Sequence, residues 1–258
     1  MSRNIAVPVV LILVLGILLP GSIATAQPPG PRGPRNGWSI GVGAISSPEP
    51  YIGADDEILV IPVLSVTAGR FSFRGIGASW QLGEWGGFEA EALLRARFGG
   101  FEEDDSPFLE GMEDRRFSAD LGLELSWEGE LVGVRLVPAV DVLDRSGGAE
   151  VALELFTPIQ LGPVRLEPRA GAAWQSSGLV DYYYGVRPGE ARPGRPAYRP
   201  GSTVNGTVGL FVFAPLADRV TFQSFIRFER LGSEIEDSPI VADTSAVTGL
   251  VGISYRVR

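Results

Sequence analysis

Phe88, Ala90, Ala92, Leu94, Ala96 and Phe98 alternate with Glu89, Glu91, Leu93, Arg95 and Arg97. Side chains alternate between the faces of a strand, so this run predicts a strand with one apolar face and one face carrying four charges. The pattern recurs. Between residues 117 and 127, Phe117, Leu121, Leu125 and Trp127 oppose Asp120 and Glu124. The valines and Leu136 of 132–142 oppose Arg135 and Asp141, and Val151, Leu153 and Leu155 alternate with Ala152 and Glu154. An apolar face over 164–174 is set against Arg165, Glu167 and Arg169, and Gln223, Arg227 and Glu229 share the polar face of 220–230. Strands are also predicted over 38–45, 58–66 (interrupted by Pro62), 71–82, 204–214 and 247–257; the third changes phase near Gly75, which predicts a bulge.

A soluble sandwich would turn the apolar faces inward and the charges to water. A transmembrane barrel does the opposite, placing apolar residues against lipid and charges in its lumen. Most of these segments approach the ~9–11 residues that a tilted strand needs to cross a bilayer, whereas soluble strands average ~5–6. Opposite charges on consecutive inward faces can pair across a narrow lumen. The predicted fold is therefore all-β, an antiparallel transmembrane barrel. Short links at 127–130, 161–163 and 215–218 read as periplasmic turns, and 99–116, 175–202 and 232–244 as external loops. Eleven candidate strands are an odd count, and bacterial single-chain barrels have even ones. Twelve strands are predicted, with one missed between Ile45 and Gly87; ten is the alternative.

The start of the chain fits export. Arg3, the apolar run from Ile5 to Leu19 and Ala24-Thr25-Ala26 form the n-region, h-region and cleavage pattern of a signal peptide. Residues 1–26 are expected to be removed, 27–36 to be a Pro/Gly-rich periplasmic leader, and 37–258 to form the barrel.

Composition narrows the chemistry. The sequence contains no cysteine, histidine or lysine. This removes thiol nucleophiles, histidine triads, His-ligated zinc and Schiff-base lysines, so neither cofactor nor metal is expected. A net charge of −9 argues against nucleic acid as a partner. Paired carboxylates can perform acid/base chemistry, but pairing with lumenal arginines explains the same residues with fewer assumptions. The proposed lumenal network is Glu89, Glu91, Arg95, Arg97, Asp120, Glu124, Arg135, Asp141, Arg165, Glu167, Arg169, Arg227 and Glu229, joined by Glu154. Its nearly balanced signs predict a cross-braced, closed or narrow interior.

The loops offer further candidates. Glu102, Glu103, Asp104, Asp105, Glu110, Glu113 and Asp114 crowd one loop without EF-hand spacing, so a solvated acidic loop is expected rather than a calcium site. Asp55-Asp56 read as turn residues. Tyr183, Tyr184, Arg187, Arg192, Arg195, Tyr198 and Arg199 share another loop. They either grip lipid phosphates or an acidic glycan, or pair with the acidic loop, and the sequence leaves both open.

Several segments carry a family resemblance in their order and separation. They are Trp38 to Gly43, Pro50-Tyr51 with Gly53 and Asp55-Asp56, Ile61-Pro62, Gly69-Arg70-Phe71, Leu109 to Met112, Tyr183 to Val186, Glu190-Ala191, Tyr198, and Asp237 to Val241. Together they resemble the MipA/OmpV family of outer-membrane proteins across nearly the whole mature chain. The resemblance implies an outer-membrane location, with that membrane and its lipopolysaccharide as surroundings. It also implies a non-enzymatic scaffold joining a murein hydrolase to a murein synthase; a small-solute channel or a surface adhesin is the alternative. The ending Tyr255-Arg256-Val257-Arg258 departs from the aromatic last residue usual in such barrels.

Overall fold

The segment from Phe71 to Leu82 is two strands, and that division completes the barrel. The computed structural model describes residues 36–54 and 58–257. The signal, the leader up to Arg35, Asp55-Asp56 and Arg258 therefore lie outside the described residues. The strands are β1 (Gly37–Ser46), β2 (Ile58–Ala68), β3 (Phe71–Arg74), β4 (Gly77–Trp85), β5 (Phe88–Arg97), β6 (Ser118–Glu128) and β7 (Gly133–Asp141). There follow β8 (Ala149–Phe156), β9 (Ile159–Leu161), β10 (Val164–Gln175), β11 (Thr203–Ala217), β12 (Val220–Arg230) and β13 (Ser245–Arg256). Every pairing is antiparallel; β13 pairs with β1 and β10 with β11, which closes the sheet. Both β8 and β9 pair with β10, so they are two halves of one stave and the barrel has twelve.

Local chemistry explains the irregularities. Arg74 pairs with Gly77 across the two-residue turn Gly75-Ile76, and Gly75 has φ +57°. Glycine at the first central position of such a turn accepts this conformation without a Cβ penalty. The expected bulge is thus a hairpin, and it supplies the missing strand. The break between β8 and β9 falls opposite Pro168. The Thr157 amide donates to the Pro168 carbonyl at 3.1 Å, but proline has no N–H to return, and the ladder stops there.

Outward residues such as Ile40, Leu121, Val208, Ile226 and Val251 are exposed, as a lipid-facing surface requires. Trp85 stacks on Phe88 near the short turns, with centroids 6.4 Å apart, and Phe98 stacks on Phe117 near the long loops at 6.3 Å. The lumen has two characters. Charges line β5 to β10. Phe211, Phe213, Phe225, Leu250, Ile45 and Ile61 point inward from β11, β12, β13, β1 and β2 and form one apolar cluster.

The long loops fold over the outer mouth. Helix α1 (Ser177–Tyr184) is capped by Ser176, whose hydroxyl accepts from the Leu179 amide, and α2 (Ser233–Glu236) lies in the loop before β13. Tyr51 pairs with Val241 and Val186 with Tyr198. Tyr51, Phe101, Leu109, Met112, Val186 and Ile240, contributed by four separate loops, bury one another in a second core. Most of the loop segments that carry the family resemblance converge here.

Candidate functional site

The lumenal charges form two groups at different heights. Toward the outer mouth, Arg95 and Arg97 clamp two carboxylates. Arg95 Nε lies 3.0 Å from Asp120 Oδ2, and its Nη2 lies 2.6 Å from Glu150 Oε1. Arg97 reaches the same two groups at 2.6 and 3.2 Å. The register explains the arrangement, since Arg95 faces Asp120 across the β5–β6 ladder and Arg97 follows two residues on. Gln175 adds a hydrogen bond to Glu150 at 3.1 Å.

Below the clamp an alternating chain of six charges crosses the lumenal wall. Arg135 Nε is 2.9 Å from Glu124 Oε1 and its Nη1 is 2.6 Å from Glu154 Oε1. Arg169 Nη1 meets the same Glu154 oxygen at 3.0 Å and its other terminal nitrogen meets Glu167. Arg165 closes the chain on Glu167 Oε2 at 2.7 Å. Phe156 lies within cation–π range of both inner arginines, its ring 5.0 Å from Arg135 and 6.0 Å from Arg169. Gly133 makes that packing possible, since a Cβ there would stand 2.1 Å from the Phe156 ring. Arg169 also lies 4.0 Å over Phe211, where the charged belt meets the apolar cluster.

The belt separates two cavities. The lower one, about 510 Å³, is lined by belt residues such as Glu124 and Arg165 and by turn residues such as Arg70 and Trp85. The upper one, about 300 Å³, lies among Arg97, Arg169, Phe211, Phe225 and α1. Glu89 and Glu91 face the lower cavity, where Gln81 donates to Glu89 at 2.9 Å. Arg227 and Glu229 sit beside the upper one, 3.4 Å apart. Asp141 stands apart at the outer rim and accepts from Ser118 and from the Ser146 amide at 2.6 Å. Glu150, central to the clamp, escaped the sequence reading. Its parity with Ala152 and Glu154 was the available signal.

Most of the loop candidates turn inward. Arg195 is buried and donates to the carbonyls of Glu190, Glu110 and Phe108. Arg192 donates to the Pro107 and Phe108 carbonyls, and Arg187 pairs with Glu113. Tyr183 is buried, Tyr184 packs against the cap core, and the Tyr198 hydroxyl donates to the Glu234 carbonyl at 2.9 Å. Arg199 is exposed. Arg192 and Arg195 thus hold the backbone of the acidic loop, and Arg187 one of its carboxylates. The acids of that loop serve its own backbone: Asp105 accepts from the Glu102 amide at 2.7 Å and Glu103 from the Gly111 amide at 3.1 Å.

The cap also contains an ion pair that sequence reasoning missed, Arg115 with Glu190 at 2.9 Å. Burial pushes the Glu190 carboxyl up. The Arg187 and Glu113 amides and the Arg115 guanidinium outweigh it and hold the group below the ordinary carboxylate value. A lowered folded value means that the stability is present above the ordinary carboxylate range and is lost as pH falls through the lowered one. Amide exchange at Val186 and Tyr198, corrected for its intrinsic pH dependence, is therefore expected to quicken once the pH drops below about 4. Glu190→Gln should abolish that acid-dependent step, and a step that survives the substitution assigns it to another group.

A closed antiparallel barrel with a lipid-facing apolar exterior, a charge-braced lumen and a folded external cap is an outer-membrane β-barrel protein. The profile of the family described as MltA-interacting protein MipA matches residues 40–257, and the chain belongs to that family. It is 27% identical to the MltA-interacting protein of Escherichia coli strain K12 over 252 residues, covering 95% of this chain and 98% of that one.

 It is also 27% identical to the outer membrane protein YiaT of Escherichia coli strain K12 over 223 residues, covering 84% of this chain and 90% of that one. Outer membrane protein OmpV of Vibrio cholerae is 34% identical over 152 residues, 59% of this chain and 58% of OmpV. The protein resides in the outer membrane.

Proposed function

We propose that the protein is a non-enzymatic platform that holds a murein hydrolase or synthase at the periplasmic face of the outer membrane. The observation that carries this reading is a lumen wall braced by ion pairs beneath a folded cap. The belt from Glu124 to Arg165 parts the two cavities, and the cap core of Tyr51, Leu109 and Ile240 covers the outer mouth. A solute channel needs a continuous wet path, whereas a platform needs a rigid wall. The name of the E. coli relative, MltA-interacting protein, supports a partner of the murein-enzyme class. The absence of histidine, cysteine and lysine from the sequence supports a role without chemistry of its own.

Crosslinking in intact envelopes, followed by identification of the captured proteins, tests the partner. A murein hydrolase or synthase is expected. The purified barrel should show little or no conductance in planar bilayers and no hydrolysis of murein. A large steady conductance with no captured partner would establish the channel, and loss of surface binding on deletion of the cap loops would establish the adhesin.

A further inference from the structure

We propose that a long-chain fatty acid dissolved in the outer leaflet enters the barrel sideways between β2 and β5, with its carboxylate in the upper cavity and its chain in the wall. The backbone supplies the opening. β3 has four residues and pairs only with Ser65–Ala68 of β2. The Leu64 carbonyl accepts from the Gly75 amide at 3.0 Å, and beyond it no strand among the described residues pairs with that edge of β2. On the far side β4 begins at Gly77 opposite Arg95, and the Ala96 amide donates to the Ile76 carbonyl at 3.2 Å. The outer half of the wall therefore has a notch floored by Gly75-Ile76.

The residues around the notch suit it. The polar groups of Leu64 face β3, so alternation turns those of Pro62 toward the notch. Proline has no N–H there, which removes one donor that an open edge in hydrocarbon would leave unpaired. Val60, beside the notch, is 74% exposed, against 55% for Val42 on the fully paired β1. Leu59 shares the inward parity of Ile61 and is still 41% exposed.

An apolar surface runs through the notch. Phe117 faces lipid, Phe98 stacks on it at 6.3 Å, and Phe98 and Ile76 also pack against the inward cluster of Phe225 and Leu250. The upper cavity is lined by Ile76, Ala96 and Phe98 from this side. Its volume of about 300 Å³ lies at the lower end of the ~300–1,000 Å³ usual for ligand pockets. Three side chains on it carry donors without a partner among the described residues: the Tyr183 hydroxyl and the Nε groups of Arg169 and Arg227. Tyr183 is only 5% exposed, and an unpaired buried donor is costly. Unpaired donors inside, with a hydrocarbon-lined exit to the membrane, suit a ligand with an acceptor head and a single chain. The inference is independent of the platform role.

Palmitate carrying a diazirine near its terminal methyl, added to the full barrel in phosphatidylcholine vesicles, is the probe. Saturable labelling is expected at Ile76 and Phe98, competed by unlabelled palmitate, beside non-saturable labelling of lipid-facing Val251 and Ile226. Ile76→Arg should abolish the saturable part, and Tyr183→Phe should weaken it several-fold. Labelling at Val251 and Ile226, together with folded gel mobility, certifies each variant. If Ile76→Arg does not fold, Ile76→Trp fills the notch without a charge. Non-saturable labelling alone overturns the proposal, as does saturable labelling that survives a folded Ile76 variant.

Discussion

Replacing Arg169 with methionine is expected to lower the unfolding free energy of the barrel by about 3 kcal/mol, the lower end of the ~3–5 kcal/mol for removing one partner of a buried ion pair. Arg169 stands between Glu154 and Glu167 and lies over the Phe211 ring. Each carboxylate retains one other partner, Arg135 for Glu154 and Arg165 for Glu167, which keeps the cost at that end. Arg169→Glu should be worse, because a third carboxylate would stand where a cation joined two. Failure to fold is the expected outcome. Urea unfolding in lipid vesicles, followed by tryptophan fluorescence, gives the magnitude. Combining Arg169→Met with Glu167→Gln should recover part of the loss. An unchanged midpoint for both single variants would mean that the belt is hydrated and weakly coupled.

Arg195→Ala is expected to loosen the cap while leaving the barrel standing. Arg195 is 1% exposed and donates to the Glu190 carbonyl at 2.8 Å and the Glu110 carbonyl at 3.2 Å, with a further bond to Phe108. It thereby ties the loop after α1 to the loop before β6. Hydrogen bonds to charged groups contribute about 1.5–3 kcal/mol each, and their losses overlap, so a total of about 3 kcal/mol is expected. Amide exchange at Phe101 and Leu109 should quicken on the order of a hundredfold, with strand amides unchanged. An equal loss of protection in the strands would show that cap and barrel unfold as one unit.

Much of the barrel was legible along the chain. Alternation from Phe88 to Arg97 assigns each side chain to lipid or lumen, because a strand offers only two faces. Phe98, expected on the lipid face, lies past the end of the strand and packs against the inward cluster instead. The odd count pointed to a missing strand between Ile45 and Gly87, and the hairpin at Gly75-Ile76 supplies it. Its four-residue β3 was hidden because so short a run has almost no period to detect. Inward Phe211 and Phe225 went unrecognised for another reason: alternation separates two faces but does not require the lumenal one to be polar throughout.

The loops mark the boundary between local and global information. Their order and spacing carried the family resemblance. Yet Tyr51, Leu109, Val186 and Ile240 are up to 189 residues apart in sequence and touch only because the barrel brings their strand ends to one rim. The sequence by itself determined the strand pattern, the two faces and most of the lumenal charges, because these follow from side-chain alternation and composition. Only the tertiary structure decided which carboxylate meets which arginine, that the belt lies between two cavities, that Arg195 turns inward, and that no described strand pairs with β2 beside Pro62. Each of these depends on ladder register and loop packing, which bring together residues that local periodicity treats as independent.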